Sequence, residues 1–117
     1  MSVKYTESGL WIEELNDGYR IGLSEKGQDD VGEVMFLELP DFGEALTKGD
    51  NLLSVEGAKA VTELTIPMTG KVKKIHKELE EDTALINSTD RAENWILELT
   101  DVQDLEESEL SKDPWFD

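Results

Sequence analysis

The chain contains 117 residues, a length typical of one domain and too short for two ordinary hydrophobic cores. Its 28 acidic and 11 basic residues give a formal net charge of −17, which disfavours nucleic acid and anionic membrane surfaces as partners. The chain has no cysteine and one histidine, which excludes disulfides, a thiol nucleophile and the common zinc sites, so no metal site is predicted. No apolar run is long enough to span a bilayer, and residues 1–5 lack the apolar core of a secretory signal. A cytoplasmic monomer is therefore expected.

The first third of the chain predicts a β-hairpin followed by a short helix. Leu10–Leu15 and Tyr19–Gly22 are β-prone segments that flank the turn residues Asn16–Gly18. Ser24 is placed to cap a short helix, because its hydroxyl can accept hydrogen bonds from first-turn amides. Gly32 is placed to end this helix, because glycine tolerates a left-handed backbone.

Short apolar segments separated by glycine and proline turns continue through the rest of the chain. These segments are 34–39, which stops at Pro40, then 52–55, 61–66 and 71–75. Many short strands with such turns indicate a mainly β barrel or sandwich.

Residues 101–117 form an acidic C-terminal segment. Seven carboxylates against Lys112 give it a net charge of −6. Val102, Leu105 and Leu110 permit one or two turns of helix against the body, and a solvated tail is the alternative.

Residues that could perform catalysis are few. Asp29–Asp30, Glu80–Asp82 and Glu106–Glu107 are neighbouring carboxylates, which in so acidic a chain indicate solvated surface. His76 follows an apolar strand and is expected to be an exposed or half-buried imidazole rather than a catalytic base. The sequence contains no nucleophile elbow and no phosphate loop. No catalytic residue is predicted, and the protein is not expected to be an enzyme.

Lys59 stands out because a strand arrives before it, a new strand leaves after it, and its neighbours are small. Gly57, Ala58 and Ala60 leave its amine open to an approaching enzyme. This placement suits covalent modification of the amine. From the local pattern alone, an ordinary turn lysine is the favoured interpretation.

The segment Val55–Ala60 resembles the lipoyl-attachment motif of glycine cleavage system H proteins, which usually reads valine-glutamate-serine-valine-lysine-alanine. The resemblance extends in order from about residue 5 to about residue 100. The other matching segments and residues are Tyr5, Trp11, Ile21–Ser24, Gln28, Val31–Glu33, Phe36–Pro40, Gly43, Gly49, Ile66–Pro67, Gly70–Val72, Leu85–Asn87 and Trp95.

This resemblance implies a flattened two-sheet barrel of the lipoyl/biotinyl-carrier hybrid type, with short helices and a C-terminal helix or tail. Residues 1–100 would form the carrier domain and 101–117 the acidic tail or helix. Biotin carriers place methionine on both sides of their lysine, whereas alanines flank Lys59, so lipoate is the cofactor implied. The residues expected around the arm are Glu56, Gly57, Ala58, Ala60, Glu63 and Ser8.

The function implied is that of a non-catalytic carrier, which shuttles an aminomethyl group on a lipoyl-lysine arm during glycine cleavage. Such a carrier needs an accessible tip rather than catalytic residues. The partners implied are a lipoate ligase or lipoyltransferase, glycine decarboxylase, aminomethyltransferase and lipoamide dehydrogenase.

One departure from the family pattern motivates an alternative function. Typical H proteins have a glutamate, which helps to shelter the loaded arm, at the place of Leu10. We therefore expect weaker support of glycine cleavage. The alternative is an H-like relay or regulatory carrier that passes lipoyl groups to 2-oxoacid dehydrogenase subunits or is ADP-ribosylated, with macrodomain and sirtuin-type partners. A third hypothesis is an unmodified binding module that keeps only the fold.

Overall fold

The computed structural model describes residues 2–115. This part of the chain forms ten strands and four short α-helices. The strands are β1 (Val3–Thr6), β2 (Leu10–Leu15), β3 (Gly18–Leu23), β4 (Val34–Glu38), β5 (Ala45–Leu46), β6 (Asn51–Gly57), β7 (Val61–Thr65), β8 (Thr69–Ile75), β9 (Trp95–Gln103) and β10 (Leu110–Ser111). The helices are α1 (Glu25–Val31), α2 (Glu78–Glu81), α3 (Ala84–Asn87) and α4 (Arg91–Asn94).

The strands form two antiparallel sheets. The large sheet has the order β10-β1-β2-β3-β9-β8-β5, and the small sheet has the order β4-β6-β7. The predicted mainly β, two-sheet architecture with short helices is therefore confirmed. The large sheet remains open rather than closing into a barrel, with β10 and β5 at its edges.

Local sequence signals account for the hairpin and the helix of the first third. Leu15 pairs with Gly18 across the predicted turn, so that β2 and β3 form the hairpin. Ser24 Oγ accepts a hydrogen bond from the Gly27 N–H at 3.3 Å and caps α1. Gly32 ends α1 with φ of +74°, a left-handed backbone that favours glycine.

One hydrophobic core joins both sheets and three helices. The core includes Leu10, Ile21 and Leu97 from the large sheet, Leu53 from the small sheet and Leu79 from α2. All five residues are 0% exposed. No helix within residues 2–115 has the length and apolar character needed to cross a membrane.

The large sheet contains a buried carboxylate that the sequence did not reveal. Glu98 of β9 is only 2% exposed, and it lies opposite Arg20 of β3. The Arg20 guanidinium donates to Glu98 Oε2 from Nε at 2.8 Å and lies 2.6 Å from it through Nη2. Lys73 is a weaker neighbour, with its Nζ 4.0 Å from Glu98 Oε1. Arg20 also lies over the Trp95 ring, at 5.4 Å from the centroid.

We expect Arg20→Ala to lower the free energy of unfolding by about 3 kcal/mol, because it leaves the buried Glu98 carboxylate poorly compensated. The measurement is urea unfolding of the variant and the wild type. Lys71→Ala is the control, since it removes an exposed ion pair with Asp101 and should cost less than about 1 kcal/mol. Equal losses of unfolding free energy in the two variants would show that Arg20 does not stabilise the buried Glu98 carboxylate.

The C-terminal segment attaches to the edge of the large sheet. Strand β9 runs through Gln103, so residues 101–103 belong to a strand of the body. A single 3₁₀ turn at Glu107–Glu109 precedes β10, which pairs with β1. Within the described residues the segment forms neither the predicted α-helix nor a fully solvated tail, because its strand residues pair with the sheet and Leu105 and Leu110 pack against the core. A separate role for residues 101–117 stays a prediction, and 116–117 lie outside the described residues.

Two ion pairs hold the acidic tail against the body. Lys4 pairs with Glu107, and Lys48 Nζ donates to Glu109 Oε1 at 2.6 Å. Each side-chain hydrogen bond raises the pKa of its lysine above the usual range. Basic residues of the body thus neutralise part of the tail's charge.

Candidate functional site: a lysine at a hairpin tip

Lys59 lies at the tip of the hairpin formed by β6 and β7, as predicted. The Gly57 N–H donates to the Ala60 C=O at 2.9 Å and closes the turn. The Lys59 side chain is 60% exposed, and its neighbours Ala58 and Ala60 extend no further than Cβ. The amine is therefore open to a partner.

The backbone of the tip is fastened to the connection between α1 and β4. The Lys59 N–H donates to the Val31 C=O, and the Ala58 N–H donates to the Glu33 C=O, both at 2.9 Å. Gly57 passes so close to α1 that a Cβ there would lie 2.1 Å from the Val31 oxygen. This chain therefore leaves no room at position 57 for the serine side chain usual in the motif. Because α1 belongs to the core through Val31, the tip is held rigidly.

Gly57→Ala tests this contact. We expect the variant to lose about 1–3 kcal/mol of unfolding free energy, because the added methyl group meets a backbone carbonyl that must move. Thermal and urea unfolding measure the loss. Gly43→Ala is the matched control, since a Cβ at Gly43 meets nothing within 4 Å. If Gly57→Ala unfolds like Gly43→Ala, the tip is not fastened in this way.

The Lys59 side chain reaches back to the end of α1. Its Nζ donates to the Asp29 C=O at 3.0 Å and lies 3.5 Å from Asp29 Oδ1. Both side chains are more than half exposed, so their ion pair contributes less than about 1 kcal/mol. A partner enzyme can therefore displace this contact at little cost.

A shallow acidic depression borders Lys59. Glu25, Asp29 and Glu33 line it together with Trp115, whose side chain is 45% exposed. Sequence reasoning missed Trp115. The sequence signal that could have indicated Trp115 is its position as a large aromatic residue near the end of a segment rich in carboxylates.

Two further predicted site residues lie on the outer face of the small sheet. Glu56 of β6 and Glu63 of β7 are both exposed, and Glu56 lies opposite Val61 in the register. They place negative charge on the hairpin that carries Lys59.

Ser8 lies apart from the tip. It lines a cavity with Thr65 and Ile66, at the end of β7 away from Lys59. Its Oγ lies within hydrogen-bond distance, 2.8 Å, of the Thr6 hydroxyl. The structure therefore does not bring Ser8 together with Lys59, and its role near the arm stays a prediction.

The position of Leu10, where typical H proteins have a glutamate, does not face solvent in this chain, and the expected weaker support of glycine cleavage stays a prediction. The Leu10 side chain is 0% exposed and belongs to the hydrophobic core. The physical reason is its strand position: Leu10 opens β2 opposite Leu23, and both side chains pack in the core. The apolar residue is therefore required by packing.

His76 has a structural environment. Its ring stacks on Trp95 with centroids 4.4 Å apart, and Nδ1 lies 2.6 Å from the Trp95 carbonyl oxygen. The residue is buried at 8% exposure. The ring is therefore more buried than predicted, because it stacks on Trp95.

A two-sheet β domain that presents a lysine amine at a fastened hairpin tip has the arrangement expected of a carrier domain with a covalently attached arm. Comparison with known proteins specifies the class further. The family model described as "Glycine cleavage H-protein" matches residues 3–114. The chain therefore belongs to the glycine cleavage H-protein family.

Individual relatives agree with this assignment. The glycine cleavage system H protein of Listeria innocua is 39% identical over 106 residues, which cover 91% of this chain and 85% of that protein. The Staphylococcus epidermidis protein of the same name is 34% identical, with 89% and 84% covered. The crystal structure of a glycine cleavage system H protein from Mycobacterium marinum superposes with a TM-score of 0.72 at 25% identity and covers 85% of this chain and 83% of that one.

Membership confirms the predicted family and its function, that of a lipoyl carrier in glycine cleavage. The family is one of carrier proteins that bear lipoate, and the glycine cleavage enzymes are their partners. The relay alternative is not favoured. The cytoplasmic location stays a prediction.

Proposed function

We propose that Lys59 is the lipoyl attachment site and that this chain carries the arm between the glycine cleavage enzymes. The observation that supports this proposal most directly is the exposed Lys59 amine at a tip fastened to Val31 and Glu33. The arrangement fits a covalent arm, because small neighbours leave room for an enzyme and the rigid backbone gives the arm a defined origin.

Attachment requires Lys59 Nζ to act as a nucleophile. The amine leaves the Asp29 carbonyl, gives up a proton and attacks the carbonyl carbon of lipoyl adenylate, the activated acyl donor. The new N–C bond forms as the C–O bond to the adenylate breaks, and AMP leaves. When bound, the lipoyl group would supply a disulfide that is reduced as one of its sulfurs takes up the aminomethyl group, and lipoamide dehydrogenase would reoxidise the dithiol that remains after the group is released.

The residues of the chain then have positioning roles. Gly57, Ala58 and Ala60 keep the base of the arm unobstructed, and the backbone bonds from Ala58 and Lys59 orient it. Glu56 and Glu63 contribute to a negative surface that attracts basic partner surfaces.

The test is lipoylation of the purified full chain by a lipoate ligase with ATP and lipoate. We expect intact mass to rise by one lipoyl group and peptide mapping to place it on Lys59. Loaded protein should then support glycine cleavage with glycine decarboxylase, aminomethyltransferase and lipoamide dehydrogenase. Absence of the mass increase, or a group on another lysine, would refute the site.

A further inference from the structure

The exposed large apolar side chains of the described residues gather around Lys59. Trp115 lines the depression beside it, and Met35, Phe36 and Val61 lie on the small sheet that carries the tip. Phe36 is 67% exposed and Val61 is 77% exposed. Grouped exposed apolar side chains mark interaction surfaces, whereas single scattered ones do not.

An irregularity in β4 creates part of this group. Val34 lies opposite Gly57 and Phe36 lies opposite Glu56, so Met35 is an extra residue in the pairing. The result is that Val34 points into the core while Met35 and Phe36 are both exposed. Bulges re-aim side chains in this way, often near functional sites.

The strand register places these side chains in rows across the small sheet. Phe36 of β4, Glu56 of β6 and Val61 of β7 form the row nearest the tip. Glu38 and Glu63 lie in the next row, on either side of Ser54. We call the surface made by Met35, Phe36, Glu38, Glu56, Val61 and Glu63 the tip face.

The chemistry of the tip face specifies its partner. The strands β4, β6 and β7 contain carboxylates at Glu38, Glu56 and Glu63 and have no lysine or arginine. A complementary surface therefore has an apolar pocket for Phe36 and Val61, surrounded by basic side chains.

We propose that the tip face is the docking surface for the enzyme that attaches the lipoyl group, an enzyme with a basic, apolar-centred surface beside its active site. The proposal rests on the proposed function of Lys59. An enzyme that acts on Nζ itself must cover the surface next to Lys59, because the lysine side chain is short. Enzymes that act at the far end of a loaded arm can stand further away.

The first experiment removes the apolar centre. The double variant Phe36→Thr/Val61→Thr places threonine, a strand-forming β-branched residue, at two mostly exposed positions, so the fold should be retained, and urea unfolding checks it. We expect kcat/KM for lipoylation of the variant to fall about tenfold or more, chiefly through KM, as for central apolar contacts of an interface.

The second experiment tests the charges. Glu38→Gln/Glu63→Gln should lower kcat/KM at low ionic strength and weaken its dependence on salt. Glu14→Gln is the matched control, because Glu14 is an exposed carboxylate on β2 of the other sheet. We expect this control to keep the wild-type rate and salt dependence.

Different results separate the docking proposal from the proposed function. If wild-type protein gains no lipoyl group, the function of Lys59 is refuted. If wild type and the Phe36/Val61 variant are lipoylated at equal rates, the docking proposal is overturned while the function stands. The docking proposal is also overturned if the variant is lipoylated normally but, once loaded, fails with glycine decarboxylase. The tip face would then bind glycine decarboxylase instead of the attaching enzyme.

Discussion

Lys59→Arg will gain no lipoyl group under conditions in which the wild type is fully modified. The guanidinium retains the positive charge and the exposed position, but it is not nucleophilic enough to form the amide. Because the hydrogen bonds that fasten the tip come from backbone atoms, the variant should fold like the wild type. Intact mass spectrometry after incubation with ligase, ATP and lipoate measures the result, and reconstituted glycine cleavage should fall to background.

Lys26→Arg is the control for Lys59→Arg. Lys26 lies on α1, the helix whose last residue, Val31, contacts the tip, and its Nζ pairs with Asp30 at 2.8 Å. This variant should accept one lipoyl group at the wild-type rate. A mass increase retained by Lys59→Arg would show that another amine is modified, and the assignment of Lys59 would fail.

Leu10→Glu will destabilise the fold by about 4 kcal/mol or more. The substitution removes a leucine that is 0% exposed and places a carboxylate in the hydrophobic core. The glutamate found at this place in typical family members therefore cannot be restored by a single substitution. Urea unfolding measures the loss, and a pKa of the new carboxyl raised by burial would be a second sign of its environment.

Ser8→Glu adds the same charge two residues away, in the exposed turn between β1 and β2. It should cost less than about 1 kcal/mol. A Leu10→Glu protein as stable as Ser8→Glu would mean that position 10 can turn toward solvent. The expectation of weaker glycine cleavage is tested separately, by comparing the turnover of the wild-type chain with that of a typical family member in reconstituted glycine cleavage.

The elements with local signals were predictable. The β2–β3 hairpin follows from alternation around Asn16–Gly18, and the start and end of α1 follow from Ser24 and Gly32. The hairpin tip at Lys59 was visible because strand-forming residues flank a run of small ones. In each instance neighbouring residues supply the hydrogen bonds or the backbone freedom that define the element.

The exposure of Met35 and Phe36 was not predictable. In the sequence they belong to one apolar run, 34–39, which predicts a strand but does not show which of its side chains are exposed. The pairing of β4 with β6 introduces the extra residue and turns both side chains outward. Because a shift of one residue exchanges the two faces of a strand, the partner strand decides which side chains are buried.

The sequence by itself determined the class of fold, the position of Lys59 at a tip and the family resemblance, since these depend on local pattern and on motifs in order. The tertiary structure decided that Leu10 is core, that Glu98 is buried beside Arg20, and that Trp115 lies in the depression beside Lys59. Each of these results depends on residues many positions apart that meet only when the sheets and the tail pack together. Burial and pairing are properties of such long-range contacts, and a linear pattern does not specify them.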